Sequence, residues 1–198
     1  MDREELLKRV QEQMPEHRFT HTQGVASTAV RLANQYGANE DDAELAGILH
    51  DYCKYWNKEK MQEIIEQTNS IPKDLLLFDK ELWHAPVAAC VAEKELGIYN
   101  PDVLSAIRFH TSGRTGMSLL EKIVWLSDYI EPGRIFPGVE EVRLLAEQNL
   151  DQALIKAFGN TISFLAKQGK KIYPLTLEAY NDLVQQVKLK GEEVSDGF

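Results

Sequence analysis

Ala43-Glu-Leu-Ala-Gly-Ile-Leu-His-Asp-Tyr-Cys53 is an apolar segment that ends on a histidine and an acid. Ala43, Ala46, Ile48 and Leu49 fit a helix capped by Asn39 and finishing near Cys53. A carboxylate carried into a core beside an imidazole is costly unless it is paired or bound to metal. Successive helical residues diverge by about 100°, yet at a helix end His50 and Asp51 can both turn toward one ion. The two oxygens of Asp51 would let it touch two ions.

The same period runs outward in both directions. Upstream, Leu6, Leu7, Val10 and Met14 mark a helix over residues 2–14, with Asp2 as its cap and Pro15 as its stop. A longer helix over 16–36 carries Val25, Ala29, Leu32, Ala33 and Tyr36 on one face and ends at Gly37. Downstream, 58–68 reads as an exposed helix, and Pro72 opens a turn through Phe78. An alanine-rich helix follows Pro86 to Gly97, and another starts at Pro101. The loop 111–116 precedes a strongly apolar helix over 118–130, and a second loop spans 131–138. Helices at 140–148, 151–168 and 175–189 complete the chain before a tail expected to fray. No alternating segment is long enough for a sheet, so the expected architecture is all-α.

Composition bounds the function. The chain has 198 residues, 43% hydrophobic and 27% charged, as expected for one globular domain. Lys and Arg number 22 against 31 Asp and Glu, a net charge of -9. That balance argues against a duplex-DNA partner, which needs clustered positive charge. It also disfavours RNA, but not an anionic small ligand met by a few cations and a metal. No apolar run reaches membrane-spanning length, and the first residues are too charged for a signal peptide. Cys53 and Cys90 lie far apart, read as reduced thiols and point to the cytoplasm.

Five histidines are candidates: His17, His21, His50, His84 and His110. Any one alone reads as an ordinary core or surface histidine; the group says more. Asp128 is one acid among Ile123, Val124, Trp125, Leu126, Tyr129 and Ile130, which a cap or ion pair would explain by itself and a shared metal explains better. His17 and His21 are four apart, but Arg18 stands where a zinc protease needs glutamate. His21, at the start of the apolar face, is preferred as ligand; His17 lies nearer the surface. His84 and His110 each end an apolar approach, which suits the rim of a pocket.

In chain order these residues resemble the metal-binding signature of the HD-domain phosphohydrolases. HRFTHTQGV, GILHDYCK, LWHAP, IRFHTSGR, WLSDYIEPGR and YPLTLEAYN together resemble its bacterial YqeK type, which is similar to symmetrical diadenosine tetraphosphate hydrolases. The resemblance covers roughly His17 to Asn181 and implies an all-α HD bundle. It implies a single domain over 1–198, with a metal-binding core at about 16–135, C-terminal helices at 140–189 and a tail at 190–198. It assigns His21, His50, Asp51 and Asp128 to one metal, and His84 and His110 to a second, with Asp51 bridging. The implied cofactor is a pair of divalent ions, iron first, with manganese or zinc as alternatives.

The chemistry expected from such a pair is a bridging hydroxide attacking phosphorus, and the resemblance implies that it splits the dinucleotide into two ADP. Asp51, Lys54 and Arg134 are the catalytic candidates, and Arg18, Lys54, Arg114 and Arg134 the phosphate-binding ones. Tyr52, Tyr55, Trp56, Trp83, Phe109 and Phe136 are aromatic residues near the motifs that can stack on adenine. The alternatives are an HD phosphohydrolase for nucleoside di- or triphosphates, a diiron oxygenase, and a non-enzymatic nucleotide sensor or assembly partner. A homodimer would form through an exposed apolar helix face.

Overall fold

The computed structural model describes residues 3–195, with side chains through 189. Ten α-helices and two short 3-10 turns make up its regular structure, with no strand among the described residues. The helices are α1 Arg3–Gln11, α2 Glu16–Tyr36, α3 Glu40–Leu49, α4 Lys58–Gln67, α5 His84–Leu96, α6 Pro101–Phe109, α7 Leu119–Ile130, α8 Val139–Ala146, α9 Leu150–Lys167 and α10 Pro174–Ser195. The all-α expectation holds, and nearly every element lies where the apolar period places it.

The ends follow from local chemistry. Gly37 and Gly97 close α2 and α5 in the left-handed region, at φ 79° and 70°. Asn39, Asn57, Asn100 and Asn149 each accept a backbone N–H in the first turn of α3, α4, α6 and α9. Ser118 and Glu121 form a reciprocal capping box at the start of α7. The proposed Asp2 cap of α1 lies outside the described residues. The last helix continues past residue 189 to Ser195, and 196–198 of the expected tail lie outside the described residues.

Two details differ from expectation. The helix carrying Ile48 stops at Leu49, so His50 through Tyr55 are turns and not a helical continuation. Lys54 therefore does not share a helical side with His50 and Asp51. A second 3-10 turn, Lys80–Leu82, precedes α5 and has no apolar period to announce it.

Packing brings several helix ends together. α2 packs along α3 and α7, α6 contacts α3, α5 and α7, and the pair α8–α9 rests on α7 and α10. The α2–α3 contact is so close that a Cβ on Gly47 would lie 2.8 Å from the Cα of Ala26. Phe158 from α9 is fully buried and stacks on Trp125 of α7 at 3.9 Å between centroids. The outcome is one continuous core in which the C-terminal ends of α3, α6 and α7 meet the N-terminal end of α5 beside the second turn of α2.

Candidate metal centre

Each predicted ligand lies at one of these meeting points. His21 comes from α2, His50 and Asp51 follow α3, His84 opens α5, His110 follows α6, and Asp128 is in the last turn of α7. Three triads of donor atoms each lie within 4.8 Å of one another: His21–His50–Asp51, His50–His110–Asp128, and Asp51–His84–His110. All six predicted ligands are thus in one cluster, and Asp51 belongs to two of the triads.

Asp51 is the hub. Its Oδ2 lies 3.1 Å from His50 Nε2 and 3.7 Å from His21 Nε2. Its Oδ1 lies 2.9 Å from His84 Nε2 and 3.8 Å from His110 Nε2. One oxygen therefore faces each half of the cluster. Asp128 completes the first half, with Oδ1 3.0 Å from His21 Nε2 and 4.0 Å from His50 Nε2. In the second half, the Nε2 atoms of His84 and His110 are only 3.1 Å apart.

The rings are held by their other nitrogens. His50 Nδ1 donates to the Gly47 carbonyl at 2.7 Å, and His110 Nδ1 donates to the Ile107 carbonyl at 2.8 Å. A carbonyl only accepts, so the proton sits on Nδ1 and the Nε2 lone pair points into the cluster. Both bonds reach back three residues, which is possible because each histidine follows the end of its helix.

The electrostatics are those of buried, opposed charges. Burial alone would raise the Asp51 carboxyl, but the electrostatic pull of His50 and the close imidazoles of His110 and His84 hold it well below the usual carboxylate range. Burial works the same way on Asp128, and the His21 ring 3.0 Å away and the Arg134 charge reverse it. Burial depresses His84 to about 4 and lowers His110, keeping both neutral. His50 is pushed down by burial but raised more strongly by Asp51 and Asp128.

The cluster has the chemistry of a cation site. Arg18 Nε, His21 Nε2, His50 Nε2 and Asp51 Oδ2 are buried and make no well-aligned hydrogen bond, although each has an oppositely charged or polar atom within 3.0–3.7 Å. Buried polar atoms are ordinarily satisfied. Imidazole nitrogen and carboxylate oxygen without thiolate suit a divalent iron, manganese or zinc ion, and the absence of thiolate argues against a purely structural zinc.

The candidate phosphate contacts divide. Arg18 Nε is 3.1 Å from Asp51 Oδ2, and Arg134 binds Asp128 twice, through its carbonyl at 2.9 Å and its carboxylate at 2.5 Å. Both guanidinium groups thus sit at the cluster. Lys54 is at its edge, paired with Glu81 at 2.6 Å. Arg114 is turned aside: its Nε binds the buried Glu121 at 2.9 Å, and it lies over the Phe109 ring. His17 is exposed and meets Tyr55 at 3.2 Å, away from the six ligands.

Among the aromatic candidates, Tyr52 and Trp83 are core, and Trp83 donates to the Leu75 carbonyl. Phe109 lines a cavity of about 270 Å³ together with Pro86, Thr111, Arg114, Tyr173 and Leu175. Cys53 is fully buried and its thiol is pushed up by burial, so it offers no nucleophile. Two buried acids escaped the sequence reading. Glu121 hides in a capping box, and Glu131 lies 3.0 Å from His21 Nδ1. The only sequence signal for Glu131 is its place between an apolar helix and Pro-Gly, which reads equally as a loop.

Comparison with known proteins agrees with this geometry. Residues 18–133 match the HD domain family. The chain is 51% identical to a symmetrical bis(5'-nucleosyl)-tetraphosphatase of Bacillus subtilis (strain 168), over 93% of this chain and 98% of that protein. It is 39% identical to the protein of the same name from Staphylococcus aureus (strain NCTC 8325 / PS 47), over 91% and 94%. A crystal structure from Clostridium acetobutylicum, described as a predicted HD superfamily hydrolase involved in NAD metabolism, superposes with a TM-score of 0.88 at 39% identity, covering 94% of this chain and 98% of that one.

Proposed function

Because the chain belongs to the HD-domain family, we propose that it is a metal-dependent phosphoanhydride hydrolase that cuts diadenosine tetraphosphate symmetrically into two ADP. The observation that carries this reading is the convergence of four histidines and Asp128 on Asp51, a carboxylate that faces both halves of the cluster, with the buried Nε2 atoms of His21 and His50 making no hydrogen bond. The name shared by the relatives in Bacillus subtilis and Staphylococcus aureus supplies the substrate class.

His21, His50, Asp51 and Asp128 would hold one divalent ion, and Asp51, His84 and His110 a second. Iron is the expected metal, with manganese or zinc also suited to these donors. Such ions, when bound, supply Lewis acidity: they make water acidic near neutral pH and take up charge on phosphate oxygens. The balanced reaction adds one water across the central P–O–P bond. The water oxygen ends on one ADP, and the former bridging oxygen leaves with the other.

The chain's own residues orient the substrate. Arg18 and Arg134 stand at the cluster and offer planar forks for phosphate oxygens. Lys54 adds a third cation at the edge, within a surface salt bridge that costs little to exchange. The apolar cavity begins at Phe109, next to His110, and suits a nucleobase better than a phosphate. No helix of the described residues is long and apolar enough to cross a membrane, in keeping with a substrate met in water. We assign the protein to the cytoplasm, with no DNA partner, and leave a homodimer as the oligomer to test.

The test is product identification. Purified protein with Mn²⁺ and diadenosine tetraphosphate should give ADP alone, with oxygen from labelled water in one of every two molecules. ATP plus AMP would overturn symmetrical cleavage. A panel of nucleoside di- and triphosphates separates this enzyme from a general nucleotidase, and tight binding without turnover would mark a sensor.

A further inference from the structure

We infer that Glu131 is a positioning residue for the metal centre, fixing the His21 ring through Nδ1, and that Gly24 is bare because a side chain there would displace the Glu131 carboxylate. The inference rests on the reading of the cluster as a metal centre.

His50 and His110 take their orientation from carbonyls three residues back, available because each follows a helix end. His21 has no such partner. It lies inside α2, where the preceding carbonyls are already used by the helix. An acceptor for its Nδ1–H must come from another element, and Glu131 supplies it: Oε1 is 3.0 Å from Nδ1. The second oxygen, Oε2, accepts the Gly133 N–H at 2.6 Å. With both oxygens accepting, the proton of this pair sits on His21 Nδ1, and Nε2 is left to face Asp51 and Asp128.

The surroundings are shaped for this carboxylate. Glu131 is 4% exposed. Gly24 lies one helical turn after His21, and a Cβ there would fall 2.7 Å from Oε2. A Cβ on Gly133 would lie 3.0 and 3.1 Å from the two oxygens. The turn itself is clamped by Arg143 of α8, which donates to the carbonyls of Ile130, Glu131 and Arg134 at 2.8, 2.7 and 2.9 Å. The same turn presents Arg134 to Asp128. One clamped turn therefore holds two members of a single half of the cluster, His21 through Glu131 and Asp128 through Arg134.

The experiment is Mn²⁺ titration calorimetry on the full chain, with unfolding in chelator as the control for folding. Glu131→Ala should weaken one Mn²⁺ site by about 10–100-fold and leave the other unchanged. Glu131→Gln should fall between, because an amide has one acceptor for two donors. Gly24→Ala should weaken the same site although Glu131 is still present. In the Glu131→Ala background, Gly24→Ala should cost nothing further, because the atom it collides with is gone. A purely structural role would lower thermal stability and leave Mn²⁺ affinity intact. If Glu131→Ala does not fold, Glu131→Gln and Gly24→Ala decide. Wild-type affinity in the folded Glu131 variants, or an equal Gly24→Ala penalty with and without Glu131, overturns the inference alone. A wild-type chain that binds no Mn²⁺ overturns the metal-centre reading beneath it.

Discussion

Asp51→Asn tests the hub of the cluster with almost no change of shape. Asparagine keeps one carbonyl oxygen but removes the charge and replaces the second ion-facing oxygen with an NH₂ that cannot bind a cation. In the metal-free protein the direct loss is the partner of Arg18, whose side chain is 15% exposed beside a 3% exposed carboxylate. Removing one partner of a buried pair costs about 3–5 kcal/mol, and the partial exposure of Arg18 places this case near 3. For a chain of this size about 1 kcal/mol moves Tm by about 2–4 °C, so Tm in chelator should fall by roughly 6–12 °C. Metal separates this from a simple stability defect. At Mn²⁺ near 100 times its Kd, the wild-type protein should gain about 2.7 kcal/mol, or roughly 5–11 °C. The variant should gain nothing, because Asp51 serves both triads. Turnover should drop by at least about 1000-fold, some 4 kcal/mol of barrier. Far-UV circular dichroism melts with chelator and with Mn²⁺, beside ADP release, supply all three readouts. A variant that keeps the Mn²⁺-dependent rise in Tm, or near-normal turnover, refutes the role of Asp51 as shared ligand.

Three other substitutions probe separate parts. His84→Ala removes a donor of the Asp51–His84–His110 group only, so elemental analysis should fall from two ions per chain to one, with activity down roughly 100-fold, about 2.7 kcal/mol. Arg134→Lys keeps the charge but loses the fork that grips Asp128 at carbonyl and carboxylate together; steady-state assays should show a raised KM for diadenosine tetraphosphate and about a tenfold lower kcat. Gly47→Ala would place a Cβ 2.8 Å from the Ala26 Cα, an overpacking cost of about 1–3 kcal/mol in urea unfolding, and activity should fall with it because Gly47 also supplies the His50 acceptor.

The sequence carried the helices and the ligands for different reasons. Helices were legible because each buries one face, and a 3.6-residue period survives in α2, α3 and α7 whatever the tertiary context. The ligands were legible because polar residues such as His50 and Asp128 interrupt apolar runs at helix ends. What escaped depends on contacts made across the chain. Glu131 sits 110 residues from His21, and nothing local distinguishes it from an ordinary loop acid. Arg114 reads from its loop as a phosphate ligand, but Glu121, seven residues on, holds its guanidinium. Lys54 follows a segment whose apolar period reads as helix to about Cys53, whereas that helix ends at Leu49 and the turns after it set the direction of Lys54.

A comparison within the molecule argues that the Asp51 cluster is built to bind and not merely to brace. Glu121 is as deeply buried as Asp51, at 1% and 2% exposure, and it too gathers partners from several segments. Its oxygens accept from Ser105, Arg114 and the Ser118 N–H, and none is left without a bond. That is the behaviour of a structural buried acid, where a half-satisfied network would be worse than an apolar one. Around Asp51 the outcome is the reverse. Three imidazoles are anchored by Nδ1 to Gly47, Ile107 and Glu131, at the expense of locking their Nε2 atoms inward toward a carboxylate and one another. Selection for stability alone would turn those rings or replace them with apolar residues of similar volume, which commonly costs nothing and can stabilise. The arrangement becomes favourable once positive charge occupies the space the Nε2 atoms and Asp51 share. The unbonded atoms at Asp51 and the fully bonded ones at Glu121 therefore distinguish a site kept open for cations from a polar network that is complete in itself.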